Sequence, residues 1–304
     1  MDKIGREDTP MEVTLKRNGL TAVTESFGGE LVSLRDEGGM EYIWSGAAPY
    51  WSGRNPVLFP IVGRLADGGK VRFGDKTYEM AQHGFARRRD FAVTSQGEDF
   101  ITFTLREDEE SLKLYPYPFA LHITYRLTDK GFTTEYAIEN TGATPLPCCI
   151  GAHTAFRCPL KAGESFSDYE MVFDEAETTD MMLLNKDNLI SATDREACLV
   201  NSDRFTLDYS VFARLDTMIF EGLQSTGVQL QHKETGRGVR MDFAGFPMLA
   251  FWTQGAQEAP FVCIEPWHGC AAVDDEDGAF ESKRHCMILA PNEVKKLSYT
   301  ITVL

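Results

Sequence analysis

The chain has 304 residues, 43% hydrophobic and 25% charged, a balance that fills a globular core without crosslinks or metals. Its formal net charge of −16 excludes a basic nucleic-acid-binding face and disfavours polyanions and acidic membrane surfaces. A neutral small ligand suits that charge best, although acidity also serves solubility alone.

Residues 1–10 are polar and read as a flexible N-terminus, without the basic-then-apolar order of a signal peptide. Residues 11–304 read as one domain, with no run of about 18 apolar residues to span a membrane. Apolar–polar alternation near 12–17, 20–25 and 30–35 predicts three short strands. The apolar stretch that follows closes on Gly63 and Arg64. A guanidinium there can hold a sugar hydroxyl or ring oxygen with its rigid fork of donors, although spacing alone favours a surface or ion-paired Arg. His83, in His83-Gly84-Phe85-Ala86-Arg87, suits proton transfer or hydrogen-bond donation, or a structural role. Arg87, Arg88 and Arg89 form a basic cluster beside it.

Alternation resumes near 100–105, and residues 107–114 predict one or two helical turns. Tyr115-Pro116-Tyr117-Pro118 reads as a corner. Alternating strands are predicted over 121–127 and 132–139. His153 stands between small residues in Gly151-Ala152-His153-Thr154, where a ligand approaches closely, and Phe156 offers an apolar face to a sugar ring. Asp216 opens an apolar strand and can accept hydrogen bonds from vicinal hydroxyls, or serve as a turn residue. Further strands are predicted near 227–232, 237–243, 248–253 and 261–265. The last ends at Glu265, directly before Pro266. Partial desolvation there raises a carboxylate's pKa and makes it a better base, while a buried, paired structural Glu is the alternative. Trp267 can stack on a sugar face. Alternation over 297–303 closes the chain. Many short strands and few helices predict an all-β, antiparallel sandwich.

The seven Cys lack CxxC spacing and read as reduced thiols, mostly small core residues, in a cytoplasmic protein. No HExxH or HxH supports a metal site, so none is expected. His122, His232 and His285 earn no role. Serine-hydrolase elbows, phosphate loops and dinucleotide fingerprints are missing.

Five motifs taken in order resemble the aldose 1-epimerase (galactose mutarotase) family, in its bacterial LacX-like branch. They are NPVLFPIVGRL (55–65), HGFAR (83–87), GAHTAF (151–156), LDTMIFE (215–221) and CIEPWHG (263–269). The resemblance implies a galactose mutarotase-like antiparallel β-supersandwich with few short helices and a concave site, working without a cofactor. It implies Glu265 as general base and His153 as general acid, with Arg64, His83 and Asp216 binding the sugar. Where this branch usually has GGHPAF and EPWYG, Ala152, Thr154 and His268 depart.

The implied reaction interconverts the α and β anomers of a free aldohexose by acid–base ring opening and closure. A non-catalytic sugar-binding or sugar-sensing protein is the alternative. So is an epimerase for a phosphorylated or sulfonated sugar, which the Arg87–Arg89 cluster suits. The only partner implied is a small-molecule sugar, and the chain is expected as a monomer or homodimer.

Overall fold

In the computed structural model, which describes residues 10–129 and 131–304, the alternation at 121–127 becomes the strand Phe119–Thr128. Its odd-numbered positions are buried because a pleated strand sends successive side chains to opposite faces. It pairs antiparallel with Phe100–Arg106 on one side and Gly131–Asn140 on the other. Val294–Val303 continues beyond that. Register aligns Phe103, Ile123, Tyr136 and Leu297 into one buried row across the four strands. The expected flexible N-terminus, residues 1–10, lies outside the described residues except for Pro10.

These strands belong to a 15-stranded antiparallel sheet, accompanied by a three-stranded sheet built from Glu12–Arg17, Leu20–Glu25 and Glu30–Arg35. The large sheet curls back on itself, so that one end packs against strands near the other. Phe59, next to the terminal strand Val57–Leu58, packs its ring 5.1 Å from Phe119. The Tyr299 hydroxyl donates to Asn55 Oδ1 at 3.3 Å. The Tyr125 hydroxyl donates to the Gly29 carbonyl at 2.6 Å, tying in the three-stranded sheet. This all-β architecture is the one the alternation predicts.

Only two α-helices occur among the described residues. Glu109–Leu114 is the predicted short helix, started by Asp108, whose side chain accepts from Ser111 N. Tyr209–Leu215 was not predicted, although Asp208 caps it in the same manner. The hairpin Tyr169–Leu184 with Ile190–Thr206 was also not foreseen. It carries register shifts, and bulges of that kind break period-2 patterning. No helix among the described residues is long and apolar enough to cross a membrane. All seven Cys are free thiols, five of them buried.

Phe103 is fully buried on a strand remote from the cleft described below. Phe103→Ala is expected to cost about 3–5 kcal/mol of stability in urea unfolding, leaving the ligand site unchanged.

Candidate functional site

Phe261–His268 pairs on one side with Ile150–Ala152 and Thr154–Arg157 and on the other with Met248–Trp252. Gly151 stands opposite Trp267, and Thr154 opposite Ile264. That register sets His153 directly opposite Glu265. Residues opposed in an antiparallel pair share a face, so both side chains leave the sheet together. The ladder is interrupted here, where Pro266 has no N–H to donate.

His153 Nε2 lies 3.3 Å from Glu265 Oε1, and the Trp267 indole N–H donates to Oε2 at 3.2 Å. Glu265 is 1% exposed and His153 7%. Burial pushes the Glu265 carboxyl well above the usual carboxylate range, the Trp267 hydrogen bond opposes this, and nearby Asp216 adds to it. Burial, then Arg87, brings His153 down to about 3. Burial thus disfavours the charged form of both partners.

These groups open onto a cleft of about 430 Å³. Trp51 covers the His153 ring at 4.6 Å, and Trp252 stands edge-on to it at 5.5 Å. His83 enters from the opposite loop, its ring 5.6 Å from that of His153. Gly63 N–H donates to His83 Nδ1 at 3.0 Å, which leaves the neutral ring's proton on Nε2. Burial holds His83 well below its ordinary pKa, helped by His153 and Arg87. Gly63 has φ +72°, and an added Cβ would stand 2.5 Å from Ala271 Cβ, so only glycine presents its N–H here.

Asp216 ends the Tyr209–Leu215 helix at φ 62° and ψ −65°, and His83 has φ 65°. Both non-glycine residues hold sparsely populated backbone conformations, a feature that clusters at ligand sites. Asp216 accepts from Thr217 Oγ1 at 2.8 Å and from the Trp252 indole N–H at 3.4 Å. Arg64 lines the cleft, and among the described residues it forms no ion pair.

Arg64, His83, His153, Asp216, Glu265 and Trp267 are thus brought to one cleft. Phe156 is not. It is 1% exposed and packed in the main core. It lies three residues beyond His153, and an odd number of steps along a strand reverses the face. Trp51 and Trp252, half-buried beside His153, supply the apolar surface instead. The basic cluster also divides. Arg87 enters the cleft, while Arg89 pairs with Asp108 at 3.2 Å. Sequence reasoning missed Trp51, Trp252 and Gln82, which also line the cleft. Strand parity carried a signal for Trp252, which pairs with Cys263, two residues before Glu265.

The departures from the branch motifs lie off the cleft. Ala152 is fully buried opposite Val57. Thr154 donates its hydroxyl to Asn55 Oδ1 at 2.6 Å. His268, three steps from Glu265, turns to the other face, where its Nδ1 lies 2.9 Å from the His285 carbonyl oxygen.

The Aldose 1-epimerase family model matches residues 11–295. Protein LacX, chromosomal, of Lactococcus lactis subsp. lactis is 34% identical over 300 residues, covering 97% of this chain and 100% of that protein. The galactose mutarotase related enzyme from Lactobacillus acidophilus superposes with a TM-score of 0.92 at 29% identity, covering 97% of each chain. A galactose mutarotase-like protein from Lactobacillus casei ATCC 334 gives 0.89 at 28% identity, covering 97% of this chain and 100% of that one.

Neutral, desolvated imidazoles make a direct spectroscopic prediction. In nitrogen-15 NMR of the free protein, His83 and His153 are expected to show no protonation between about pH 5 and 8, the window in which an ordinary His changes charge. His83 is expected to carry its proton on Nε2. A titration of either ring near the ordinary His value contradicts this electrostatic picture.

Proposed function

We propose that this chain, which belongs to the aldose 1-epimerase family, interconverts the α and β anomers of a free aldohexose. The observation that carries the reading is the buried Glu265–His153 pair, 3.3 Å apart. Anomer exchange needs one proton removed from the anomeric hydroxyl and one delivered to the ring oxygen. Those two oxygens sit on the same carbon, so two adjacent groups on one wall reach both.

The proton shifts from Glu265 to His153 as the sugar's hydroxyls enter and solvate the ion pair. Glu265 then takes the anomeric hydroxyl's proton while His153 gives its own to the ring oxygen, and the ring opens to the aldehyde. Rotation about C1–C2 presents the other carbonyl face. Closure reverses both transfers and restores the pair, so protons balance over the cycle. His83 Nε2–H and Arg64 stabilise charge on the ring oxygen as it develops. Asp216 accepts from sugar hydroxyls, and Trp51 and Trp252 cover the apolar face of the ring. Trp267, with its N–H on Glu265, orients the carboxyl.

Polarimetry on freshly dissolved α-glucose or α-galactose tests the reading. Glu265→Gln is expected to lose about 10²–10⁴-fold in rate. Full-speed mutarotation by that variant refutes Glu265 as base. Saturable sugar binding without anomer exchange by the unaltered protein favours the non-catalytic alternative. The dependence of kcat/KM on pH is expected to be bell-shaped. The acid limb, where His153 takes a second proton, lies at about 3. The alkaline limb, where the last proton leaves the pair, lies well above the ordinary carboxylate range. A single limb at an ordinary carboxylate pKa contradicts a shared proton.

Arg87 favours a second reading, an anionic sugar. Among the described residues neither Arg64 nor Arg87 pairs with a carboxylate, and Arg87 Nε is buried without a hydrogen-bond acceptor. Burial and neighbouring Arg88 lower Arg87 to about 10, so it stays charged at neutral pH. Glucose and glucose 6-phosphate compared as substrates decide between the readings. The anionic reading expects a preference for the phosphorylated sugar that Arg87→Gln abolishes, and equal rates end it.

A further inference from the structure

We propose that His153, Cys263 and Glu265 form a binding site for a zinc-type divalent cation, whose occupation blocks the cleft to sugar. The three side chains bring an imidazole nitrogen, a thiol sulfur and a carboxylate oxygen within 4.8 Å of one another, all on buried residues. Register explains the cluster. Cys263 and Glu265 are two steps apart on one strand and share its cleft-facing side, with His153 opposite Glu265 and diagonal to Cys263.

Three protein ligands of nitrogen, sulfur and oxygen, with a fourth position open to solvent, match a zinc site that keeps an exchangeable ligand. Ligand bonds of about 2.0–2.3 Å put neighbouring donor atoms of a tetrahedral site roughly 3.3–3.8 Å apart. His153 Nε2 and Glu265 Oε1 already stand at 3.3 Å. Cys263 Sγ closes the remainder by a movement of about 1 Å within its rotamer well. The fourth position faces the cleft, where water occupies it.

The proton balance is definite. The ion displaces the Cys263 thiol proton and the single proton of the Glu265–His153 pair, and both pass to buffer. A thiolate ligand selects zinc or cadmium over magnesium and calcium, which prefer all-oxygen shells. His153 Nδ1, the nitrogen that a supporting acceptor would hold in a built-in metal centre, is buried without a partner. That missing support makes binding reversible and the ion an inhibitor.

The site stands on geometry, while its inhibitory consequence and the second released proton rest on the epimerase reading. The test uses the full chain stripped with EDTA. Zinc chloride titrated by calorimetry in two buffers of different ionisation enthalpy is expected to give one site and two released protons. Cobalt(II) is expected to show a thiolate charge-transfer band. Cys263→Ser is expected to lose the band and to need at least about tenfold more zinc for half-inhibition of mutarotation, with its metal-free rate unchanged. Cys263→Ala replaces it if the Ser hydroxyl disturbs the apolar floor. EDTA is expected to restore activity, and magnesium or calcium to leave it unaltered. Absence of stoichiometric binding, or a cobalt band that persists in both Cys263 variants, overturns the proposal. Metal binding without any mutarotation leaves the site standing and removes the epimerase reading instead.

Discussion

The antiparallel register that sets Gly151 against Trp267 and Thr154 against Ile264 fixes His153 and Glu265 as neighbours. Everything else in the cleft is arranged around that pair. A carboxyl at 1% exposure is costly to ionise alone, and an imidazole at 7% is costly to protonate alone. Standing 3.3 Å apart, the two groups offset part of each other's cost. Pro266 interrupts the ladder at the same place, so the sheet itself makes room for the two side chains.

Rigid strands hold the pair, while strained loops bring the other polar groups. His83 and Asp216 both have positive φ, and each is pinned by a nearby donor: Gly63 N–H for His83, Thr217 and Trp252 for Asp216. Such conformations persist only where the surroundings over-determine them. The surroundings here are the close Gly63–Ala271 contact and the Tyr209–Leu215 helix end. The aromatic wall of Trp51 and Trp252 excludes water from His153, which keeps its ring neutral in the free protein.

Charge is distributed unevenly between cleft and exterior. A chain of net charge −16 directs Arg87 into the cleft, where it meets no carboxylate partner among the described residues, while turning Arg89 outward to Asp108. Position 87 therefore brings a positive charge into the cleft of an acidic chain. Positions 152, 154 and 268, where the motifs depart from the branch pattern, lie in the core or on the opposite face, which explains why they leave the polar groups of the cleft undisturbed.

Alternation alone made the all-β class legible, because period 2 is imposed locally by the pleat and survives in Phe119–Thr128, Gly131–Asn140 and Val294–Val303. Motif order pointed to the family. The Tyr169–Leu184 hairpin escaped notice because its bulges scramble that period. Phe156 was misassigned because a motif gives position but not face, and face depends on strand parity. Glu265 and His153 stand 112 positions apart in the chain. Only tertiary pairing made them cross-strand neighbours, with Cys263 diagonal to His153. Register between distant strands is set by the collective packing of both faces, and no local pattern encodes it.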